Sequence, residues 1–343
     1  MPPKISVVMP VYNGSKYLAE AIESILEQSF SDFEFLIIND ASTDYSSEIV
    51  DKYQKQDERI IFLQNSTNRG GYFARNLGVA AASGEYITVM DQDDVAMPDR
   101  FEKQIDYLDS HPGIDVLGGQ ITILNEDNQA GRPIRYNLTP GGISWGTLIV
   151  CQLSNPTVMM RRKIFSQEGL RYREFKTADD YDLWTQLLPG HQMANLPDVL
   201  LKYRVHQANL SVTKRQIQIE ETVVILREYI QKVFEAHLPE AQIRGLMYTR
   251  DIGSVELATE IATFLKRSVK TFLAWPIQNA EKFEICHHAA FKLMTIWKRF
   301  RFDPRALPIL LSATILEAKS RWYGAKTQGL LKPNRQPLRV QSH

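Results

Sequence analysis

Cysteine is scarce in this chain of 343 residues, which contains only Cys151 and Cys286. Two cysteines cannot form the framework of several disulfides that stabilises small secreted domains, and a chain of this length buries a sizeable core without one. The N-terminal residues also lack the successive charged, apolar and cleavage regions of a signal peptide. The longest mostly apolar run, residues 306–316, is shorter than the roughly 20 residues that span a bilayer. We therefore expect a cytoplasmic protein in a reducing compartment.

The chain also has no overall excess of positive or negative charge, since its formal net charge at pH 7 is zero. The balance is uneven along the chain, however, because residues 290–343 contain 11 Lys and Arg but only two acids. Trp297, Trp322 and Tyr323 lie among these cations, a composition that suits a peripheral contact with an anionic membrane surface. Packing of the basic helices onto the acidic remainder is the alternative. No nucleic-acid-binding fold is evident, so nucleic acid is not an expected partner.

Strand-like and helix-like patterns alternate over the first hundred residues. Four short apolar runs predict strands, at residues 5–11, 33–38, 60–63 and 86–90. Helical patterns separate them, and repeated strand–helix–strand units indicate an α/β fold with a mostly parallel sheet flanked by helices.

The rest of the chain is less regular. The middle segment is interpreted as a helix, a strand at 116–124, a Gly/Pro-rich loop and further helix. Apolar spacing after residue 210 predicts a helical C-terminal region over 211–330. Residues 331–343 contain two prolines and no periodicity, which predicts a disordered tail. The first domain would then cover residues 1–210.

Polar side chains follow three of the predicted strands. Asn13 follows the first, Asp40 and Asp44 follow the second, and Asp91 to Asp94 follow the fourth. Because ligands of parallel sheets bind beyond the carboxyl ends of the strands, these residues mark the expected site.

Aspartates grouped this closely repel one another unless a cation joins them. Mg²⁺ or Mn²⁺, bound by one or two carboxylates and by phosphate oxygens, would satisfy Asp91 and Asp93. A metal-chelated diphosphate is therefore the simplest ligand. The alternative is a turn and helix cap before a helix that begins near Arg100.

A second acidic group, Asp179 and Asp180, begins a predicted amphipathic helix. A carboxylate there would accept the proton of an attacking hydroxyl group. The alternative is an acidic first turn that interacts favourably with the helix dipole.

Several segments together resemble glycosyltransferase family 2, and the resemblance covers roughly residues 4–210. The matching motifs are 7–14 (VVMPVYNG), 37–44 (IINDASTD), 68–78 (NRGGYFARNLG), 83–87 (SGEYI), 90–94 (MDQDD) and 97–100 (MPDR). The resemblance implies a GT-A fold and an inverting transferase that uses a nucleotide-diphosphate sugar with Mg²⁺ or Mn²⁺.

The resemblance also implies roles for individual residues. Donor-binding positions would be Pro10, Tyr12, Asn13, Asp40, Arg75 and Asp91. Asp93 would hold the metal, and Asp180 would be the catalytic base. The family usually has Glu-Asp where this chain has Asp179-Asp180, a change that would affect acceptor contacts. His206, in a segment that closes the site, would approach the metal or the diphosphate.

For two of these residues a structural interpretation stays open. Arg75 would otherwise be a surface helix charge, and His206 a partly buried structural histidine. The processive members of the family carry a Gln-x-x-Arg-Trp motif, but here Ala318 precedes Arg321-Trp322 and the position is far too late. Transfer of a single sugar is therefore favoured over polymerisation.

The expected activity is transfer from a nucleotide sugar, by default a UDP-sugar, to a hydroxyl group of a saccharide or lipid-linked acceptor in cell-surface polysaccharide synthesis. A nucleotidyltransferase would show a Gly-rich basic loop after the first strand, which PVYNG at 10–14 is not. A non-catalytic scaffold derived from a transferase would have lost carboxylates that this chain keeps.

Overall fold

The structure, a computed structural model, describes residues 2–327. Nine strands of the described chain form one sheet: β1 Ile5–Val11, β2 Phe33–Asn39, β3 Ile60–Gln64, β4 Tyr86–Val89, β5 Val95–Ala96, β6 Val116–Leu124, β7 Ala130–Ile134, β8 Met159–Arg161 and β9 Met193–Arg204. Their order is β3-β2-β1-β4-β8-β6-β9-β5, and β7 pairs with β6 at the side of this path.

Helices flank the sheet and form most of the C-terminal region. Their bounds are α1 Leu18–Leu26, α2 Ser46–Gln54, α3 Gly71–Ala81, α4 Arg100–Ser110, α5 Pro140–Gly146, α6 Lys163–Glu168, α7 Asp179–Leu187, α8 Leu210–Thr213, α9 Arg215–Phe234, α10 Glu240–Met247, α11 Val255–Leu273, α12 Asn279–Arg299 and α13 Leu307–Ala325. The predicted α/β class with a helical C-terminal region is confirmed.

The first four strands form the parallel part of the sheet. β1 pairs in parallel with β2 and β4, and β2 pairs in parallel with β3. In this register Val11 lies opposite Asn39, so β1 and β2 end level with each other. The loops that follow β1, β2 and β4 therefore emerge at one edge, as the sequence predicts.

The second part of the sheet makes it mixed rather than mostly parallel. β8 runs antiparallel to both β4 and β6, β9 runs parallel to β6, and β5 runs antiparallel to β9. The sequence interpretation of more helix after residue 146 misses β8 and β9. β9 contains Pro197 and has irregular register with β6, so it lacks the alternation that marks a strand.

Close packing joins α3 to the parallel strands. A Cβ atom on Gly78 would lie 2.5 Å from Val8 Cγ1 and 2.7 Å from Ile38 Cδ1. Real side chains do not approach this closely, so the helix needs glycine here to lie against β1 and β2. This contact fixes the helix that carries Arg75.

The described residues pack as two compact units. One comprises residues up to 136 together with 153–222, and the other comprises 137–152 and the residues from 223 onward. The predicted boundary near residue 210 remains a prediction, and the predicted tail at 331–343 lies outside the described residues. Within residues 2–327, no helix is both long and apolar enough to cross a membrane.

The helical unit takes one segment, 137–152, from the middle of the chain. Buried Glu284 on α12 accepts hydrogen bonds from the backbone N–H groups of Leu138 and Thr139, at 2.9 and 3.1 Å. Trp145, fully buried, donates from Nε1 to Ser268 Oγ on α11 at 2.9 Å. Polar and apolar contacts therefore bind this short segment to the C-terminal helices.

Candidate active site

Three loops at the carboxyl edge of the parallel strands are joined by hydrogen bonds. The backbone N–H of Tyr12 donates to Gln92 Oε1 at 2.8 Å, and Gln92 Nε2 donates to the Tyr12 carbonyl at 3.1 Å. The side chain of Asn13 accepts from the backbone N–H of Thr43 at 2.8 Å. The loops after β1, β2 and β4 thus form one connected surface, which brings together the predicted strand-end residues.

The first of these loops has an unusual backbone conformation. Asn13 adopts φ +50°, a left-handed conformation that asparagine tolerates better than most residues. Its backbone N–H donates to Ser42 Oγ, and that of Ser15 donates to Asp44. Tyr12 remains 46% exposed. An exposed ring on a fixed loop is available for stacking against a planar ligand.

Asp40 is nearly buried, and its carboxylate organises the next loop. It accepts hydrogen bonds from Asn65 Nδ2 at 2.7 Å and from the backbone N–H groups of Arg69 and Gly70. Gly70 has φ +92°, which a residue with a side chain would adopt only with strain. Asp40 therefore holds the turn that begins α3, and both of its oxygens have partners within the protein.

Arg75 joins the loop after β4 to the start of α7. Its Nη1 donates to Asp179 Oδ2 at 2.6 Å, and its Nη2 lies 3.4 Å from Asp91 Oδ1. Only 14% of the Arg75 side chain is exposed, so the alternative of a surface helix charge is wrong. The positive charge of the guanidinium offsets the negative charges of Asp91 and Asp179. Without it the two carboxylates would repel each other, because little water is present to screen them.

Asp180 follows Asp179 in the first turn of α7, and the pKa of its carboxyl group is raised. Burial, and secondly the neighbouring Asp179 carboxylate, raise the pKa of Asp180 to about 7. Its Oδ1 accepts a hydrogen bond from the backbone N–H of Tyr181. A carboxyl group with a pKa near neutrality is suited to accept a proton from a hydroxyl group and release it afterwards.

Asp93 and His206 form the second charged pair of the site. His206 Nε2 lies 2.8 Å from Asp93 Oδ2, and the His206 ring packs on Tyr17 with 5.1 Å between centroids. The predicted metal residues are thus brought together from β4 and from the segment after β9. The structure places Asp91 in the same loop, where burial raises its pKa.

Arg204 holds the loop after β4 through hydrogen bonds. The sequence does not predict it as a site residue. It is only 1% exposed, and its Nε donates to the Asp93 carbonyl at 2.8 Å. The guanidinium also reaches Glu20 and Asn128, while the backbone N–H of Arg204 donates to Asp94 Oδ1. Burial and the nearby aspartates raise the pKa of Asp94 well above its usual value.

The helix-cap interpretation of the acidic loop does not hold. The N-cap of α4 is Asp99, and no side chain caps that end. Fully buried Arg100 instead turns back toward β4, where its Nη2 donates to Thr88 Oγ1 at 2.6 Å. Burial lowers the pKa of Arg100 to about 9, although the guanidinium also donates to Gln104 Oε1 and to the Val89 carbonyl.

A divalent cation fits the Asp93–His206 pair by spacing, and the Asp93 carboxylate is the kind of ligand that Mg²⁺ or Mn²⁺ prefers. Adjacent ligands of an octahedral ion with bonds of about 2.1 Å lie about 3 Å apart, close to the observed separation of the two side-chain atoms. Within residues 2–327 no group of three or more His, Cys, Asp or Glu side chains could hold a metal. Diphosphate oxygens and water would therefore have to complete the coordination, as is usual for Mg²⁺.

The predicted residues therefore fall into connected groups at one edge of the sheet. Asp91, Arg75 and Asp180 lie around one ion-pair network, and Asp93 and His206 form a pair beside it. Asp40 and Asn13 connect the neighbouring loops, and Pro10 lies within β1. Gln92 and Arg204 are not predicted from the sequence, because their partners are distant in the chain; the polar position inside Asp-x-Asp is the only local signal for Gln92.

Comparison with known sequences identifies the family. Residues 6–169 match the sequence pattern of Glycosyl transferase family 2. An uncharacterised glycosyltransferase of Haemophilus influenzae is 30% identical in an alignment of 237 positions that covers 66% of this chain and 73% of the relative. The putative glycosyltransferase EpsE of Bacillus subtilis is 35% identical over 59% of this chain and 73% of its own.

Solved structures with low sequence identity share the fold. S. aureus TarS 1-349 in complex with UDP superposes with a TM-score of 0.55 at 20% identity, covering 93% of this chain and 91% of that one. The mannosyltransferase PcManGT of Pyrobaculum calidifontis, in complex with GDP-Man and Mn²⁺, gives a TM-score of 0.54 at 16% identity, covering 93% and 88%. The GT-A fold expected from the resemblance is confirmed, and the chain belongs to glycosyltransferase family 2.

Proposed function

We propose that this glycosyltransferase moves a single sugar from a nucleotide-diphosphate sugar, by default a UDP-sugar, to a hydroxyl group of a saccharide or lipid-linked acceptor. The reaction inverts the anomeric centre and depends on Mg²⁺ or Mn²⁺. Cell-surface polysaccharide synthesis is the process that such a transfer would serve. TarS with UDP or UDP-GlcNAc and PcManGT with GDP-Man support a nucleotide-sugar donor.

The observation that carries the proposal is the link from Asp91 through Arg75 to Asp179. It connects the strand end where the donor would bind to the first turn of α7, where Asp180 lies. Among residues 2–327 the Asp180 carboxylate has no ion-pair partner, and it accepts a hydrogen bond from the backbone N–H of Tyr181. A base positioned in this way would stay available to an acceptor.

In the proposed reaction Asp180 accepts the proton of the acceptor hydroxyl group as its oxygen attacks the anomeric carbon. The bond from that carbon to the diphosphate breaks on the opposite face, and the nucleoside diphosphate leaves with the electron pair. One displacement converts an α-linked donor into a β-linked product. The protein needs no covalent intermediate, and the Asp180 proton is lost to solvent afterwards.

The donor would bind to the connected loops. Tyr12 and Asn13 would flank the nucleotide with Pro10, and Asp91 would face the ribose or the sugar. Asp93 and His206 would hold the divalent cation, which when bound stabilises negative charge on the departing diphosphate. Asp40 would contact the nucleotide base only if its hydrogen bonds to the loop at 65–70 rearranged. Arg75 would contact the diphosphate while its Nη groups also bind Asp91 and Asp179.

A donor screen with matched variants tests the proposal. The wild-type chain, Asp180→Asn and the exposed control Glu174→Gln are each incubated with Mn²⁺, a panel of nucleotide sugars and simple sugar acceptors, and release of nucleoside diphosphate is measured. We expect the Asn variant to lose turnover by about 10² to 10⁴ while it still binds nucleotide, and the control to keep its rate. NMR of the product then reports its anomeric configuration.

Other results would contradict the proposal. Near-normal turnover in Asp180→Asn would reject Asp180 as the base, and a retained anomeric configuration would reject a single displacement. Calorimetry that detects no Mn²⁺-dependent nucleotide binding would favour a non-catalytic scaffold. Pyrophosphate release from a nucleoside triphosphate and a sugar phosphate would indicate a nucleotidyltransferase.

A further inference from the structure

The outer face of α13 is apolar over most of its length. Leu307, Leu311, Ile315 and Trp322 are each more than half exposed, at 53, 55, 58 and 55%. At 100° per residue these four side chains fall within about 80° of the helix circumference, and they extend over about 22 Å of its axis. They form a continuous stripe, called here the α13 stripe.

The opposite face of α13 is apolar as well. Ile309, Ala313 and Leu316 are buried, and this side of the helix packs within the C-terminal unit, largely against α12. A surface helix of a water-exposed protein normally has a polar outer face. An apolar stripe opposite an already buried face therefore indicates that α13 contacts a second apolar phase.

The charges beside the C-terminal half of the α13 stripe are mostly positive, whereas at its Leu307 end Arg305 pairs with Asp303 and Glu256. Lys319, Arg321 and Lys326 are exposed near its C-terminal end, and Lys326 Nζ lies 3.6 Å from the centroid of the Trp322 ring. The acid of α13, Glu317, is partly buried and pairs with Arg321 and His287. By sequence, residues 328–343 add three more cations and no acid.

We propose that the α13 stripe binds the surface of a membrane that contains anionic lipids. Leucine, isoleucine and tryptophan would enter the boundary between headgroups and acyl chains, and the lysine and arginine side chains would extend to lipid phosphates. The helix would lie in the interface, which agrees with the finding that no described helix can span the bilayer. This inference is independent of the proposed reaction.

Charge complementarity favours the lipid surface over a second copy of the chain. In a symmetric pair with parallel helices the cationic ends would meet and repel. In an antiparallel pair, Lys319 and Arg321 of one copy would cover the apolar end around Leu307 of the other. Arg321 already pairs with Glu317, but the parallel arrangement would bring the ammonium groups of Lys319 and Lys326 of both copies together, whereas anionic headgroups would neutralise them.

Vesicle flotation of the full chain tests the proposal. Binding is compared between vesicles of phosphatidylcholine alone and vesicles with about a third phosphatidylglycerol. The variants are the double change Leu311→Glu with Ile315→Glu, the double change Lys319→Glu with Arg321→Glu, and the control Val224→Glu, which adds one negative charge at an exposed apolar position of α9. Circular dichroism confirms that each variant is folded.

We expect the wild-type chain and the control to float with the anionic vesicles, and the apolar double variant to lose at least about tenfold in partitioning. The charge-reversal variant should lose about tenfold or more on anionic vesicles and show little change on neutral ones. Failure of the wild-type chain to bind anionic vesicles would overturn the proposal, as would equal binding by the folded apolar variant. Concentration-dependent dimers that require Leu311 and Ile315, without vesicle binding, would show that the stripe is an interface between copies.

Discussion

His206 Nε2 lies 2.8 Å from Asp93 Oδ2, although 113 residues separate the two in the chain. The histidine follows β9 and the aspartate follows β4, and neither strand pairs with the other. β5, which begins at Val95, pairs antiparallel with β9, with Val95 opposite Lys202; this pairing brings Asp93 beside the end of β9, where Arg204 also donates to the Asp93 carbonyl. This relationship makes His206 testable as a metal ligand.

Replacing His206 should weaken metal binding. With UDP present, we expect His206→Ala to bind Mn²⁺ about tenfold or more weakly, because one of two protein donors is lost. Isothermal titration calorimetry measures the affinity. His237→Ala, which removes an exposed imidazole from the other compact unit, is the control and should leave it unchanged. An unaltered Mn²⁺ affinity in His206→Ala would contradict the assignment.

The rate should depend on pH through Asp180. A base must be ionised to accept a proton, and the pKa of this carboxyl is raised to about 7, so activity should be high above that pH. Below about pH 7, kcat/KM should fall about tenfold per pH unit. Initial rates with a saturating metal concentration measure the profile. The residual activity of Asp180→Asn should lack this limb, and a variant that keeps it would assign the titration to another group.

The same carboxyl should affect stability. Its pKa is raised from 3.8 when unfolded to about 7 when folded, so the folded chain holds a proton that the unfolded chain releases between these values. The free energy of unfolding therefore falls as pH rises through this window. At pH 8, Asp180→Asn should be more stable than the wild type by about 1–3 kcal/mol, and the gain should vanish near pH 4.

Urea unfolding at both pH values measures this difference. The exposed Asp51→Asn on α2 removes one negative charge without changing the site and is the matched control. A gain of equal size at both pH values would mean that it has another cause.

The Arg75–Asp179 ion pair should be strongly coupled. Arg75→Met leaves the buried Asp179 carboxylate and the partly buried Asp91 carboxylate without their partner, and we expect a loss of about 3–5 kcal/mol in unfolding free energy. A double-mutant cycle with Asp179→Asn should give a coupling of about 1–3 kcal/mol. The more exposed Lys103–Asp99 pair at the start of α4, 2.8 Å apart, is the control and should couple by about 0.5 kcal/mol or less, since Lys103 also pairs with Asp198. Coupling no larger than in this control would remove Arg75 as the link between the end of β4 and α7.

The sequence predicts the parallel half of the fold well because its signals are local. β1 to β4 are compact apolar runs with polar ends, and the predicted bounds agree with the observed ones within a residue or two. β9 escapes prediction because its stability comes from pairing with β6 and β5, not from its own pattern. Pro197 and the irregular register remove the alternation that would reveal it.

In the site, too, residues with a local sequence signal are predicted and residues that depend on distant contacts are not. Asp93 and Asp180 were predicted from short motifs, since each belongs to a local pattern at the end of a strand or the start of a helix. Arg204 could not be predicted in this way, because its role comes from its contact with Glu20, 184 residues away, and from its burial. A long-range hydrogen bond leaves no periodic or compositional trace in one sequence.

The capture of residues 137–152 by the C-terminal helices has a consequence for recombination among family members. Trp145 and Glu284 belong to one packed assembly although a long stretch of catalytic sequence separates them. Exchanging only the last third of the chain with that of a relative would pair this insert with foreign helices. A successful chimaera would have to exchange both pieces together, so the two are expected to diverge in concert.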